Sequence, residues 1–81
     1  MEYKKRIDAI IARAERVRLP LGDVAAAGGV SKSTLYRWRQ DDANPRMRSM
    51  YRALDAMEAR LAAEEQKLLA ELATAQAEAA A

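Results

Sequence analysis

Apolar residues recur at helical spacing over most of this chain, and the pattern divides it into four stretches. Tyr3, Ile7, Ile10, Ala14 and Val17 make the first stripe, widened by Ile11. Lys4, Lys5, Asp8, Arg13, Glu15 and Arg16 fill the opposite face, which predicts a helix over residues 2–18. Pro20 ends that helix or opens the next, because proline fits a first turn but not a helix interior. Residues 20–27 predict a second, short helix, with Val24, Ala25 and Ala27 apolar and Asp23 near the positive end of the helix dipole. Gly28-Gly29 stops it. One of the two takes the left-handed conformation that ends helices, and small residues here allow helices to approach closely. Ser31 is a natural N-cap for a third helix over residues 32–40. In that helix Leu35 and Trp38 point inward, while Lys32, Ser33, Thr34 and Arg37 face solvent.

Asp41, Asp42, Ala43, Asn44 and Pro45 predict a loop, since Pro45 biases Asn44 away from the helical region. From Arg46 to about Ala79 there is no Gly or Pro, and strong helix formers dominate. Apolar residues fall at Met47, Met50, Leu54, Met57, Leu61, Leu68 and Leu72, with a polar gap at Glu64 and Glu65. This is a coiled-coil-like stripe. A continuous helix here would be about 50 Å long at roughly 1.5 Å per residue, more than a small four-helix core can cover. Met47, Met50 and Met57 are expected as core filler. Leu61, Leu68, Leu69 and Leu72 are expected to pair with the same helix of a second copy. The alternative is one amphipathic helix folded back on its own body. Residues 73–81, ATAQAEAAA, are low in bulk, and their end is expected to fray. The expected division is a domain over 1–58 and a helical extension over 59–81.

Composition narrows the chemistry. Eighty-one residues make one small core. Without cysteine there is no disulfide or thiolate site, and a reducing cytoplasm suits such a chain. Histidine is absent too, so the commonest general base, nucleophile and transition-metal ligands are missing. No enzyme activity, metal, cofactor or small-molecule ligand is expected. Asp41 and Asp42 lack a third ligand nearby and read as a polar loop. No apolar run approaches the roughly 20 residues of a membrane span, and the amphipathic start lacks a signal-peptide cleavage pattern. The net charge of +2 hides a polarity: residues 1–60 carry +5 and residues 61–81 carry −3. A basic body suits a polyanionic partner.

The run GGVSKSTLYRWRQ, residues 28–40, concentrates the functional signal. Ala25 is small where two helices would cross, and Gly29 stands four residues later in the turn. Val30 and Leu35 are apolar, and Trp38 follows one turn after Leu35. With the preceding helix, Asn44-Pro45, and Met47, Met50, Tyr51 and Leu54, roughly residues 5–58 resemble the phage repressor and Cro family of helix-turn-helix DNA-binding domains. The resemblance implies an all-α, four-helix domain that binds double-stranded DNA as a transcriptional regulator, a repressor of phage or prophage type. Leu21 departs from it, standing where the family often has a glutamine that touches phosphate; Gly22 offers a backbone N–H instead. Trp38 is bulkier than the usual aliphatic residue, and the chain runs straight on where the family turns into a fifth helix. The run GVSKSTLYRW is also similar to the reading segment of excisionase-type proteins, which continue into a β-wing that residues 46–72 are too helical to form.

Lys32, Ser33, Thr34 and Arg37 are the side chains expected in the major groove. Arginine can hold guanine O6 and N7 together, which favours Arg37 for base reading, with a phosphate contact as the alternative; Lys32 suits base or phosphate equally, and the alternative for Ser33 is to share helix capping with Ser31. Ser31, Tyr36, Arg39, Arg46 and Arg48 are expected at phosphates, the last two at the positive start of the fourth helix. The alternatives are packing of Tyr36 against the first helix and a solvated face for Arg46 and Arg48. Trp38 is expected in the core by its spacing from Leu35. A homodimer would set two reading helices about 34 Å apart, one DNA turn. Two other readings remain: an excisionase-like, packaging or architectural DNA-binding factor, and a helical protein–protein interaction module worked by the long C-terminal helix.

Overall fold

The computed structural model describes residues 2–40 and 47–80, and all its regular structure is helical. The helices are α1 (Glu2–Val17), α2 (Leu21–Ala27), α3 (Lys32–Gln40) and α4 (Met47–Ala80). These are the four helices the apolar spacing predicts. The expected loop at Asp41, Asp42 and Asn44-Pro45, and Arg46 after it, lie outside the described residues.

The core forms where the apolar stripes meet. Ile7, Ile10 and Ala14 of α1, Val24 and Ala25 of α2 and Leu35 of α3 are buried with Met50, Leu54, Met57 and Leu61 of α4. Trp38, Val30 and Leu19 are partly buried and pack on this cluster. Small and large side chains alternate here, Ala25 and Ala53 among the branched and sulfur-containing residues, which lets short helices approach closely.

Two arginine forks fix α1 on α4. Arg6 donates from Nε and Nη2 to Glu58 at 3.1 and 2.6 Å, and from Nη2 to Asp55 at 2.7 Å. Arg13 donates from Nε and Nη2 to Glu65 at 2.9 and 2.7 Å. Both forks match planar guanidinium to planar carboxylate. Arg6 to Arg13 and Glu58 to Glu65 advance one heptad each, so α1 and α4 run parallel and in register. The Arg6 guanidinium also sits 5.6 Å from the Tyr51 ring centroid. Hydrogen bonding to Glu58 and then Asp55 raises the pKa of Arg6, and bonding to Glu65 raises that of Arg13. The Arg13 hydrogen bond holds the Glu65 carboxyl below the ordinary carboxylate value.

The first two helices end alike. Leu19 N–H returns to the Ala14 carbonyl at 3.0 Å and Arg18 N–H to Glu15 at 3.2 Å. Val30 N–H returns to Ala25 at 3.1 Å and Gly29 N–H to Ala26 at 2.9 Å. Both are Schellman closures, which need a left-handed residue. Gly29 supplies it at φ 77° in the second, but Arg18 supplies it at φ 57° in the first. Gly28 serves the other purpose expected of this pair, close approach to α4.

Three expectations are corrected. Leu61 is fully buried by its own chain, so it belongs to this core and not to an intermolecular seam. The packed body therefore runs past residue 58, to Leu61 and the Arg13–Glu65 fork. Met47 is 44% exposed and fills no core, because the first turn of α4 precedes the level at which the other helices cover it.

Candidate nucleic-acid interface

α3 is built to stand on the body with one side free. The Ser31 carbonyl accepts the Leu35 N–H at 3.2 Å, and Ser31 Oγ accepts the Thr34 N–H at 3.1 Å. This is an N-cap, with the side chain satisfying a backbone donor the helix cannot. Ser31 Oγ also hydrogen-bonds Thr34 Oγ1 at 3.0 Å. Behind the cap, Leu35 is fully buried and Trp38 half-buried, anchoring the inner face.

The outer residues fall on two edges. Ser33, Arg37 and Gln40 lie at helical spacing and are exposed. Lys32, Tyr36 and Arg39 lie at helical spacing on the neighbouring edge, of which Tyr36 and Arg39 stand beside α1. Tyr36 is 38% exposed and lines a groove of about 230 Å³ with Ile11, Ala14, Glu15, Arg18 and Leu21. Arg39 Nε stands 2.9 Å from Asp8 Oδ1 as an ion pair. Tyr36 meets the C-terminal half of α1 and Arg39 its N-terminal half, so α3 runs back along α1.

This geometry sorts the expected contacts. Lys32, Ser33 and Arg37 are exposed, and the two cations form no ion pair among the described residues. Thr34 is half-buried and its hydroxyl is engaged with Ser31, so capping takes the group expected at a base. Ser31 stays exposed but spends its Oγ on the same cap. Tyr36 stays exposed at the edge of the groove beside α1. Arg39 is committed to Asp8 instead of standing free for phosphate, because the edge that carries it faces α1. Leu21 packs on the core and lines the Tyr36 groove, while Gly22 is exposed with open space where a side chain would be.

Arg48 and Arg52 are exposed on the first turns of α4 and form no ion pair among the described residues. They stand four residues apart on one helix face. Sequence reasoning reached Arg48 and missed Arg52, although that spacing was visible. Arg46 lies outside the described residues. Arg6, Arg13 and Arg60 pair with carboxylates on α4 and Arg39 with Asp8 on α1, whereas Lys32, Arg37, Arg48 and Arg52 are among the exposed cations with no ion pair among the described residues.

A second feature lies at the far end of the body. Leu68, Leu69 and Leu72 are 38%, 59% and 55% exposed. With Arg16, Val17 and Glu65 they line an open, largely apolar groove of about 350 Å³. Among the described residues there is no cluster that could hold a metal ion. No helix among them is long and apolar enough to cross a membrane.

No protein-family model, curated protein or solved structure matches this chain.

Proposed function

We propose that this chain is a sequence-specific double-stranded-DNA-binding protein of the helix-turn-helix type, a non-catalytic transcriptional regulator that reads the major groove with α3. The observation that carries this reading is the construction of α3. It is capped by Ser31, anchored by Leu35, and presents Lys32, Ser33 and Arg37 to solvent, with no ion pair to either cation among the described residues. A rigid rod with two unpaired cations, Lys32 and Arg37, on adjacent edges suits base edges, where arginine and lysine hydrogen-bond guanine. Arg48 and Arg52 supply phosphate contacts and the salt-dependent share of affinity. The repressor role and phage origin follow the resemblance of residues 5–58, and cytoplasmic DNA is the target.

Self-association through α4 completes the reading. Leu68, Leu69 and Leu72 leave an apolar strip that a second copy of the same helix covers, pairing two reading helices on one duplex. Leu61 takes no part. The same strip favours one rival, an interaction module that works through α4 and leaves DNA alone.

Selection of bound duplexes from a random pool at fixed salt, with sedimentation of the complex, separates the two. The regulator enriches a defined site and sediments on it as a dimer. Enrichment of no site, with dimers formed in the absence of DNA, establishes the interaction module. Clustered direct repeats in place of a palindrome indicate an architectural or packaging factor.

A further inference from the structure

We propose that Asp8 competes with DNA phosphate for Arg39 and so lowers the sequence-independent part of this chain's affinity by one phosphate contact; the proposal rests on DNA binding through α3. The helix carries three cations, Lys32, Arg37 and Arg39. Only Arg39 is paired with the body, its Nε 2.9 Å from Asp8 Oδ1 in an ion pair. The pair follows from the direction of the helix. Tyr36 lines the groove together with Ile11 and Glu15, and Arg39, three residues on, stands beside Asp8 one turn nearer the start of α1.

The pair is open to water, with side chains 48% and 59% exposed, and such a pair contributes little to folding. Its effect is on charge. A carboxylate in contact with a guanidinium cancels most of the field that the cation would offer an approaching phosphate. Carboxylate and phosphate are also equivalent acceptors for arginine, so Arg39 serves one at the expense of the other. The forks at Arg6 and Arg13 differ in kind: they are bidentate, partly buried, and join α1 to α4.

Removing the competitor therefore strengthens binding. Each phosphate neutralised adds about 0.9 to the slope of log affinity against log salt. Asp8→Asn keeps the shape of the side chain, removes its charge, and frees Arg39 for one more phosphate.

The test titrates a random-sequence duplex with the full chain, Asp8→Asn, Arg39→Ala and the double variant across a salt series. Circular dichroism checks that each stays helical. Asp8→Asn should bind several-fold more tightly at low salt, with a slope steeper by about one. Arg39→Ala should differ little from the parent, and in the Asp8→Asn background it should abolish the gain. A gain that survives in the double variant reflects net charge alone and overturns the proposal. So does a parent that binds DNA while Asp8→Asn leaves affinity and slope unchanged. A chain with no duplex affinity in any of the four forms overturns DNA binding itself.

Discussion

Gly28 lies against the main chain of Ala53: a methyl group placed on Gly28 would come 2.7 Å from the Ala53 carbonyl oxygen and 2.8 Å from Met57 Cε. The Met57 side chain can move aside, but the α4 backbone cannot. This contact seats the end of α2 on α4 and so fixes where the turn to α3 begins.

The two adjacent glycines therefore fail differently when substituted. Gly28→Ala forces α2 off α4 and should cost about 1–3 kcal/mol, the usual range for overpacking. Gly29→Ala meets open space, but its φ of 77° costs a side chain about 1–2 kcal/mol. Urea unfolding measures both. Only Gly28→Ala should also lower the DNA affinity of the remaining folded protein, because it alone displaces the turn that leads to α3.

Arg18 gives the opposite sign. It holds the left-handed position that glycine holds at the end of α2, and among the described residues it forms no ion pair that substitution would lose. Relief of about 1–2 kcal/mol of backbone strain is offset by roughly 0.5–1 kcal/mol of extra unfolded-state entropy. Arg18→Gly should raise stability by about 0.5–1 kcal/mol, seen as a higher urea midpoint at unchanged slope.

Leu61 and Leu72 show what the sequence could and could not reveal. Both belong to one apolar stripe, and periodicity alone makes them equivalent. What separates them is the length of α1, which ends at Val17 and leaves Leu72 on the open groove beyond the Arg13–Glu65 fork. Helix order, the Ser31 cap and the glycine turn were legible because each depends on neighbouring residues. The Asp8–Arg39 pair and the Arg6 and Arg13 forks were not, because their partners lie 31 to 52 residues away and depend on register. Leu61→Ala opens a cavity in the body and should cost about 2–5 kcal/mol. Leu72→Ala should leave the unfolding midpoint of the dilute chain within about 0.5 kcal/mol of the parent and weaken self-association. Sedimentation and urea unfolding of the two variants should give this crossed pattern.

Acid should loosen α1 from α4. The Arg13 hydrogen bond lowers the pKa of Glu65 in the fold, so this contribution is full above the unfolded value near 4.5 and is lost as pH falls through the lower folded value. Thermal midpoints should therefore drop on acidification below about 4.5. Arg13→Ala lowers the midpoint at neutral pH and flattens that drop, since Glu65 then has no fork to lose. A decline equally steep in the variant assigns the acid sensitivity to other carboxylates.

Arg37 offers the most direct check on the reading of α3. It is exposed, forms no ion pair among the described residues, and lies on the edge with Ser33 that faces away from α1. Its removal should leave the fold intact, since nothing in the body leans on it. At a guanine, loss of the paired hydrogen bonds should cost about 1–3 kcal/mol on the selected duplex and relax preference at one base pair. Arg48→Ala should weaken selected and random duplexes alike and reduce the salt slope by about one. Titration of both variants on both duplexes in one salt series tells the roles apart. If Arg37→Ala weakens the two duplexes equally, it holds a phosphate, and selectivity passes to Lys32 and Ser33.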